Sequence, residues 1–125
     1  MPPKTGLAAA VTLDVTEADT AIAMRTGVVP VLATPRLVAL CEEAAMAALD
    51  GSLEDGSSSV GVRVQIEHIS PIPVGGRVVA EASLDKIEGR RLIFTVSARD
   101  DRGLVAAGKV TRVLVNVDHF MEKTR

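Results

Sequence analysis

The segment TPRLVALCEEAAMAALD, residues 34–50, reads as a helix that is apolar on nearly every side, and no other stretch restricts the fold as strongly. Thr34 supplies an N-cap hydroxyl, and Pro35 takes the first helical position, where its missing N–H is no loss. Gly51 stops the helix. Residues seven apart lie within about 20° of one another, so Arg36, Glu43 and Asp50 line up as one narrow polar stripe. Nowhere does the chain carry the roughly 18 consecutive apolar residues that would span a bilayer. A helix with so little polar surface must then be wrapped on most of its sides by other parts of a water-exposed fold. A sheet curling about one central helix does this.

The remaining sequence can build such a sheet. VTLDV, residues 11–15, alternates apolar and polar as a half-buried strand does. Thr16 and Asp19 offer an N-cap hydroxyl and an acid three residues later, which predicts a short helix over roughly 17–24. Gly27 and Pro30 interrupt it. Beyond the polar loop SLEDGSSS, strand-like runs follow at about 58–69, 77–87, 90–100 and 104–117. Pro71, Pro73 and Gly75–Gly76 separate the first two, Glu88–Gly89 makes a tight hairpin, and Asp100-Asp101-Arg102-Gly103 closes the next. The order is α+β with an antiparallel sheet, in one domain over residues 1–125, with no repeat or linker to split it.

The core must be aromatic-poor, because Phe94 and Phe120 are the chain's only aromatics apart from its two histidines. Val, Ala, Leu and Ile fill it instead, and so small a domain gains further burial from a partner, which makes self-association an expectation. A net charge of −2 with dispersed basic residues gives no electrostatic footprint for nucleic acid. The single Cys41 excludes an intrachain disulfide framework, and one thiol with two histidines is too thin for a closed zinc site. The N-terminal MPPKTGLAAAV lacks the apolar run of a signal peptide, so the expected setting is cytoplasmic, without a membrane anchor.

Two adjacent carboxylates on the central helix are not equivalent. Glu43 belongs to the polar stripe, whereas Glu42 sits about 100° away among Val38, Ala39, Ala45 and Met46. A carboxylate there needs a partner, a proton or a water-filled cleft. It either reaches an exposed edge or a subunit contact, or it serves as an acid, base or nucleophile. In the strand VGVRVQIEHIS, His68 shares parity with Val60, Val62, Val64 and Ile66, which points it toward the helix side as a core or rim residue or as a catalyst. Thr34 is either a plain cap or, with the amides of the helix start, a group that stabilises an oxyanion. It lies about 12 Å along the helix from Glu42.

Arg112 shares parity with Val110 and Leu114, yet Val113, Val115 and Val117 favour the opposite face, so a bulge or a strand buried on both sides is expected. Its simpler reading is an ion pair. Gly61 marks a bulge or a close approach of a ligand to the backbone. Cys41 reads as a small core residue, and His119, in the polar tail DHFMEKTR, as solvated.

Taken together, VLATPRLVALCEEAA, SVGVRVQIEHISPIPVGGRV, IEGRRLIFTVSARD and the closing strand with Arg112 resemble the hotdog-fold acyl-CoA thioesterases of the fluoroacetyl-CoA thioesterase type, over roughly residues 10–117. The resemblance implies a catalytic set of Thr34, Glu42 and His68. It implies that Gly61 holds the substrate near its thioester and that Arg112 is a further active-site residue contacting substrate or keeping Glu42 ionised. It also implies a homodimer with sheets joined edge to edge, and hydrolysis of a small acyl-CoA without metal or redox cofactor, CoA arriving as part of the substrate. Gly27-Val-Val-Pro30 is aromatic-free, near where the family's fluoroacetyl-specific member has aromatics shielding its acyl pocket. Other expectations on the same scaffold are a non-catalytic module that binds acyl-CoA or a small carboxylate and, ranked last, an enoyl-CoA hydratase.

Overall fold

The computed structural model describes residues 3–125; Met1 and Pro2, at the head of the segment read above for a signal peptide, lie outside them. Strand β1 (Ala8–Asp14) leads through a turn of 3-10 helix (Glu17–Asp19) to helix α1 (Thr34–Ala48). Strands β2 (Ser57–His68), β3 (Arg77–Glu88), β4 (Arg91–Asp100) and β5 (Gly103–Asn116) follow, then the short helix α2 (Val117–Glu122). The strands form one sheet in the order β1-β3-β4-β5-β2, antiparallel throughout. The two edges are therefore β1 and β2.

Alternation explains the sheet. Val78, Ala80, Ala82 and Leu84 of β3 and Leu92, Phe94, Val96 and Ala98 of β4 are buried against Leu37, Leu40, Cys41, Ala44 and Ala45 of α1. Phe94 is the largest fully buried side chain, and alanines on both layers let helix and sheet approach closely. Cys41 sits in this core, where burial, reinforced by the neighbouring Glu42 charge, pushes its thiol up to about 11. It is an inert core residue, as its sequence context suggested.

Two expectations are corrected. The helix over 17–24 is only the turn Glu17–Asp19: Asp19 does cap it by accepting from the Thr16 N–H at 2.8 Å, but Thr20 then pairs with Leu32 as an isolated bridge. Arg25 in the left-handed region, φ 62°, turns the chain onward. The sheet curls about the central helix as expected, all five strands meeting α1, while Ala39, Met46 and Ala47 stay exposed. The polar tail holds α2, capped by the Asn116 side chain accepting from His119 N–H at 2.9 Å; His119 itself is exposed, as expected. The other correction concerns β2. A bulge between Gly61 and Arg63 leaves Val62 without an opposite residue, so parity switches there. Val64, Ile66 and His68 share the helix-facing side with Ser59 and Gly61, while Val60 turns to the other face.

Among the described residues no helix is long and apolar enough to cross a membrane.

Candidate active site

Two polar pairs lie between α1 and the edge strand β2. The first is at the helix start. Thr34 is not the cap: Ala33 takes that position, and no side chain caps the helix. The Ala33 N–H donates to the Asp19 carbonyl at 2.8 Å and the Leu32 N–H to the Ile72 carbonyl at 2.8 Å, which fixes where α1 begins. Relieved of capping, the Thr34 hydroxyl lies 2.9 Å from Nδ1 of His68. His68 ends β2 opposite Ala106, and its Nε2 is buried with no hydrogen-bond partner among the described residues. A buried imidazole nitrogen without a partner is uncommon and calls for an explanation. Alongside is a cleft of about 360 Å³ lined by Thr34, His68, Val29, Val31, Leu32 and Ile69.

The second pair is two turns along the helix. Arg112, 7% exposed, projects from β5 toward the helix, which resolves the parity conflict: Val113 and Val115 are half-buried on the other face. Its Nη1 donates to Oε1 of Glu42 at 3.0 Å. Burial pulls the guanidinium below its ordinary value, and the Glu42 charge partly offsets this. Gly61 lies directly across from Arg112. A Cβ on Gly61 would stand 2.2 Å from Glu42 Oε1, so the carboxylate occupies the space that a side chain would fill.

Thr34 and His68 are thus brought together, as are Glu42, Arg112 and Gly61, but the two groups remain separated along the helix within one chain. Ser59 and Met46 complete the second group. Ser59 Oγ accepts from Arg112 Nε at 2.8 Å, and Met46 Sδ from Arg112 Nη2 at 3.2 Å. Neither residue was singled out from the sequence, since Ser59 sits in a serine-rich run and Met46 in an apolar helix. A second cleft, of about 380 Å³ and lined by Leu53, Arg90 and Leu114, contains none of these side chains.

Glu43, by contrast, accepts from Arg36 Nη1 at 2.9 Å with half its side chain exposed. Arg36 also donates through Nε to Asp19 at 3.2 Å. Exposed pairs of this kind contribute about 0.5 kcal/mol or less. Glu43→Gln should leave the thermal midpoint within about 2 °C and catalysis unchanged, read by melting and turnover side by side.

An antiparallel five-stranded sheet laid on one long helix, with polar groups gathered where the helix meets an edge strand, is the hotdog architecture of the thioesterase superfamily. The profile of the fluoroacetyl-CoA-specific thioesterases matches residues 15–118. The chain belongs to that family. The fluoroacetyl-CoA thioesterase of Streptantibioticus cattleyicolor is 35% identical over 95 residues, which cover 76% of this chain and 68% of that protein. The solved structure of the fluoroacetyl-CoA thioesterase FlK superposes with a TM-score of 0.93 at 27% identity, covering 100% of this chain and 97% of the other. A thioesterase superfamily member from Thermus thermophilus gives 0.90 at 29%, covering 100% and 93%.

Proposed function

We propose that this chain hydrolyses a small acyl-CoA thioester to the free acid and CoA, as a cytoplasmic homodimer with Thr34, Glu42 and His68 as its catalytic set. The observation that carries the reading is the placement of both polar pairs beside β2, one at His68 and one across from Gly61, on a strand whose outer edge has no partner among the described residues. Val62 and Val64 are exposed on that strand, at 50% and 39%. An unpaired, apolar edge is a template for another strand. Two β2 edges pairing antiparallel about a dyad near Val64 and Gln65 would lay the Gly61 end of one strand beside the His68 end of the other. Glu42 of one subunit then faces the partner subunit's Thr34–His68 pair.

In that arrangement the thioester carbonyl lies against the Thr34 hydroxyl and the first amides of α1, which stabilise negative charge on oxygen as the carbon becomes tetrahedral. Glu42 attacks that carbon, giving a mixed anhydride that water then opens, or removes the proton from a water that attacks directly. The carbon–sulfur bond breaks, and the leaving thiolate takes its proton from His68. Arg112 keeps Glu42 aimed through its Nη1 hydrogen bond to Oε1. The scheme calls for neither metal nor redox cofactor. With Val29 and Val31 lining the cleft in place of aromatic groups, the acyl group is a small aliphatic one.

A panel of acyl-CoA esters from acetyl to medium chain, followed by release of free CoA thiol, tests this. Thiol release with at least one short member, from a protein that light scattering shows to be dimeric, is the expected result. Protection of the fold against heat by these esters with no thiol released from any of them would instead identify a binding module.

A further inference from the structure

Arg112 can serve Glu42 only if its guanidinium is held in one orientation, and the structure assigns that task to Ser59, a positioning residue that acts through Arg112. The inference rests on the catalytic role proposed for Glu42. It starts from an account of donors. A guanidinium has five N–H groups in a rigid fork, and at 7% exposure Arg112 must place most of them on protein acceptors. Ser59 supplies two acceptors from one residue. Its Oγ accepts from Nε at 2.8 Å, and its backbone carbonyl accepts from Nη2 at 2.8 Å, so one whole edge of the fork is bound to a single point of β2. Nη1, on the opposite edge, is left directed at Glu42 Oε1.

The hydroxyl is itself oriented. Ser59 Oγ donates its proton to Met46 Sδ at 3.3 Å, which leaves its lone pairs for Arg112. Met46 Sδ also accepts from Nη2 at 3.2 Å, so the same thioether steadies both partners. Ser59 is 5% exposed, and its hydroxyl contacts neither the Thr34–His68 cleft nor Glu42 directly. Whatever it contributes to turnover passes through the guanidinium. Glu42 Oε2 accepts no hydrogen bond among the described residues, so the clamp ends in a carboxylate with one oxygen fixed and the other open to react.

The bulge in β2 makes this geometry possible. It switches parity after Gly61, so Ser59 and Gly61 face the helix together with Val64, and the hydroxyl and the side-chain-free position both lie opposite the Arg112 side of β5.

Ser59→Ala removes the only side-chain acceptor of Arg112 Nε among the described residues while leaving the carbonyl in place. A net hydrogen bond to a charged group corresponds to roughly a tenfold effect or somewhat more. The expected result is a kcat lower by about tenfold with KM nearly unchanged, since substrate does not touch Ser59. Ser59→Thr, which keeps the hydroxyl, should recover most of the loss. In an Arg112→Lys background, where Nε does not exist as a donor, adding Ser59→Ala should change kcat by less than about twofold. Wild-type kcat in Ser59→Ala overturns the inference, as does a full additional tenfold loss in the Arg112→Lys background. Glu42→Gln is assayed in parallel. Turnover lost there but intact in Ser59→Ala removes only this role, whereas turnover intact in Glu42→Gln removes the catalytic reading and this inference with it.

Discussion

Replacing Glu42 with Gln is expected to lower kcat by about 10²–10⁴-fold, the range usual for a group that moves protons or attacks in the transition state. The fold should survive the change. Gln retains an oxygen that accepts from Arg112 Nη1, so the buried guanidinium keeps a partner while the negative charge and the nucleophilic lone pair are lost. Glu42 is about a third exposed, so the lost ion pair is partly screened and should cost about 1–2 kcal/mol, far less than leaving a buried charge with no partner. His68→Ala should reduce turnover by a similar factor without affecting Arg112, because its side chain hydrogen-bonds with the Thr34 hydroxyl and not with the guanidinium. Stopped assays for thiol, melting curves and light scattering on both variants separate loss of chemistry from loss of dimer. Normal turnover in Glu42→Gln would take away the carboxylate's central role.

Much of this was legible in the residues because period and punctuation agree. Strands β3, β4 and β5 fall within a residue or two of their expected limits: β3 and β4 alternate in burial over most of their length, and Gly89 at φ 62° and Gly103 at φ 125° occupy turns that demand the left-handed region. The distinction between Glu42 and Glu43 also follows from helix geometry alone, and the two carboxylates do meet different partners, Arg112 and Arg36. What was not legible is set by tertiary contacts. The Thr34 hydroxyl turns from the expected cap to a histidine 34 residues away. The bulge in β2 has no marker in VGVRV beyond Gly61 itself, yet it decides which side chains face the helix. Ser59 looks like loop composition until the β2–β5 register sets it under a guanidinium 53 residues distant. Local propensity says nothing about such partners, and resemblance supplied the roles that geometry then grouped into two pairs.

Gly61→Ala should reduce turnover by about 10²-fold while barely changing stability, whereas Gly108→Ala should lower stability itself. Both glycines lie within strands and neither has a positive φ, so the difference rests on what a new Cβ would meet. At Gly61 it would meet Glu42 Oε1 at 2.2 Å and Arg112 Nη1 at 3.4 Å. The first is the far end of a flexible side chain that is partly exposed, so the carboxylate can swing away while β2 stays paired, and strand propensity even favours Ala over Gly. Moving that oxygen by an ångström or more breaks its alignment with Arg112 and with the reacting carbonyl, a displacement that alone can cost about 10²-fold. At Gly108 the new atom would stand 1.9 Å from the Gln65 carbonyl oxygen and 2.7 Å from the Ile66 Cα. No rotamer relieves a backbone clash, so β2 must separate from β5, at about 3 kcal/mol or more, the upper end of ordinary overpacking. Melting should therefore drop by roughly 10 °C in Gly108→Ala. Equal melting losses in both variants, or full turnover in Gly61→Ala, would show that the vacancy at Gly61 serves packing of the sheet and not the placement of Glu42.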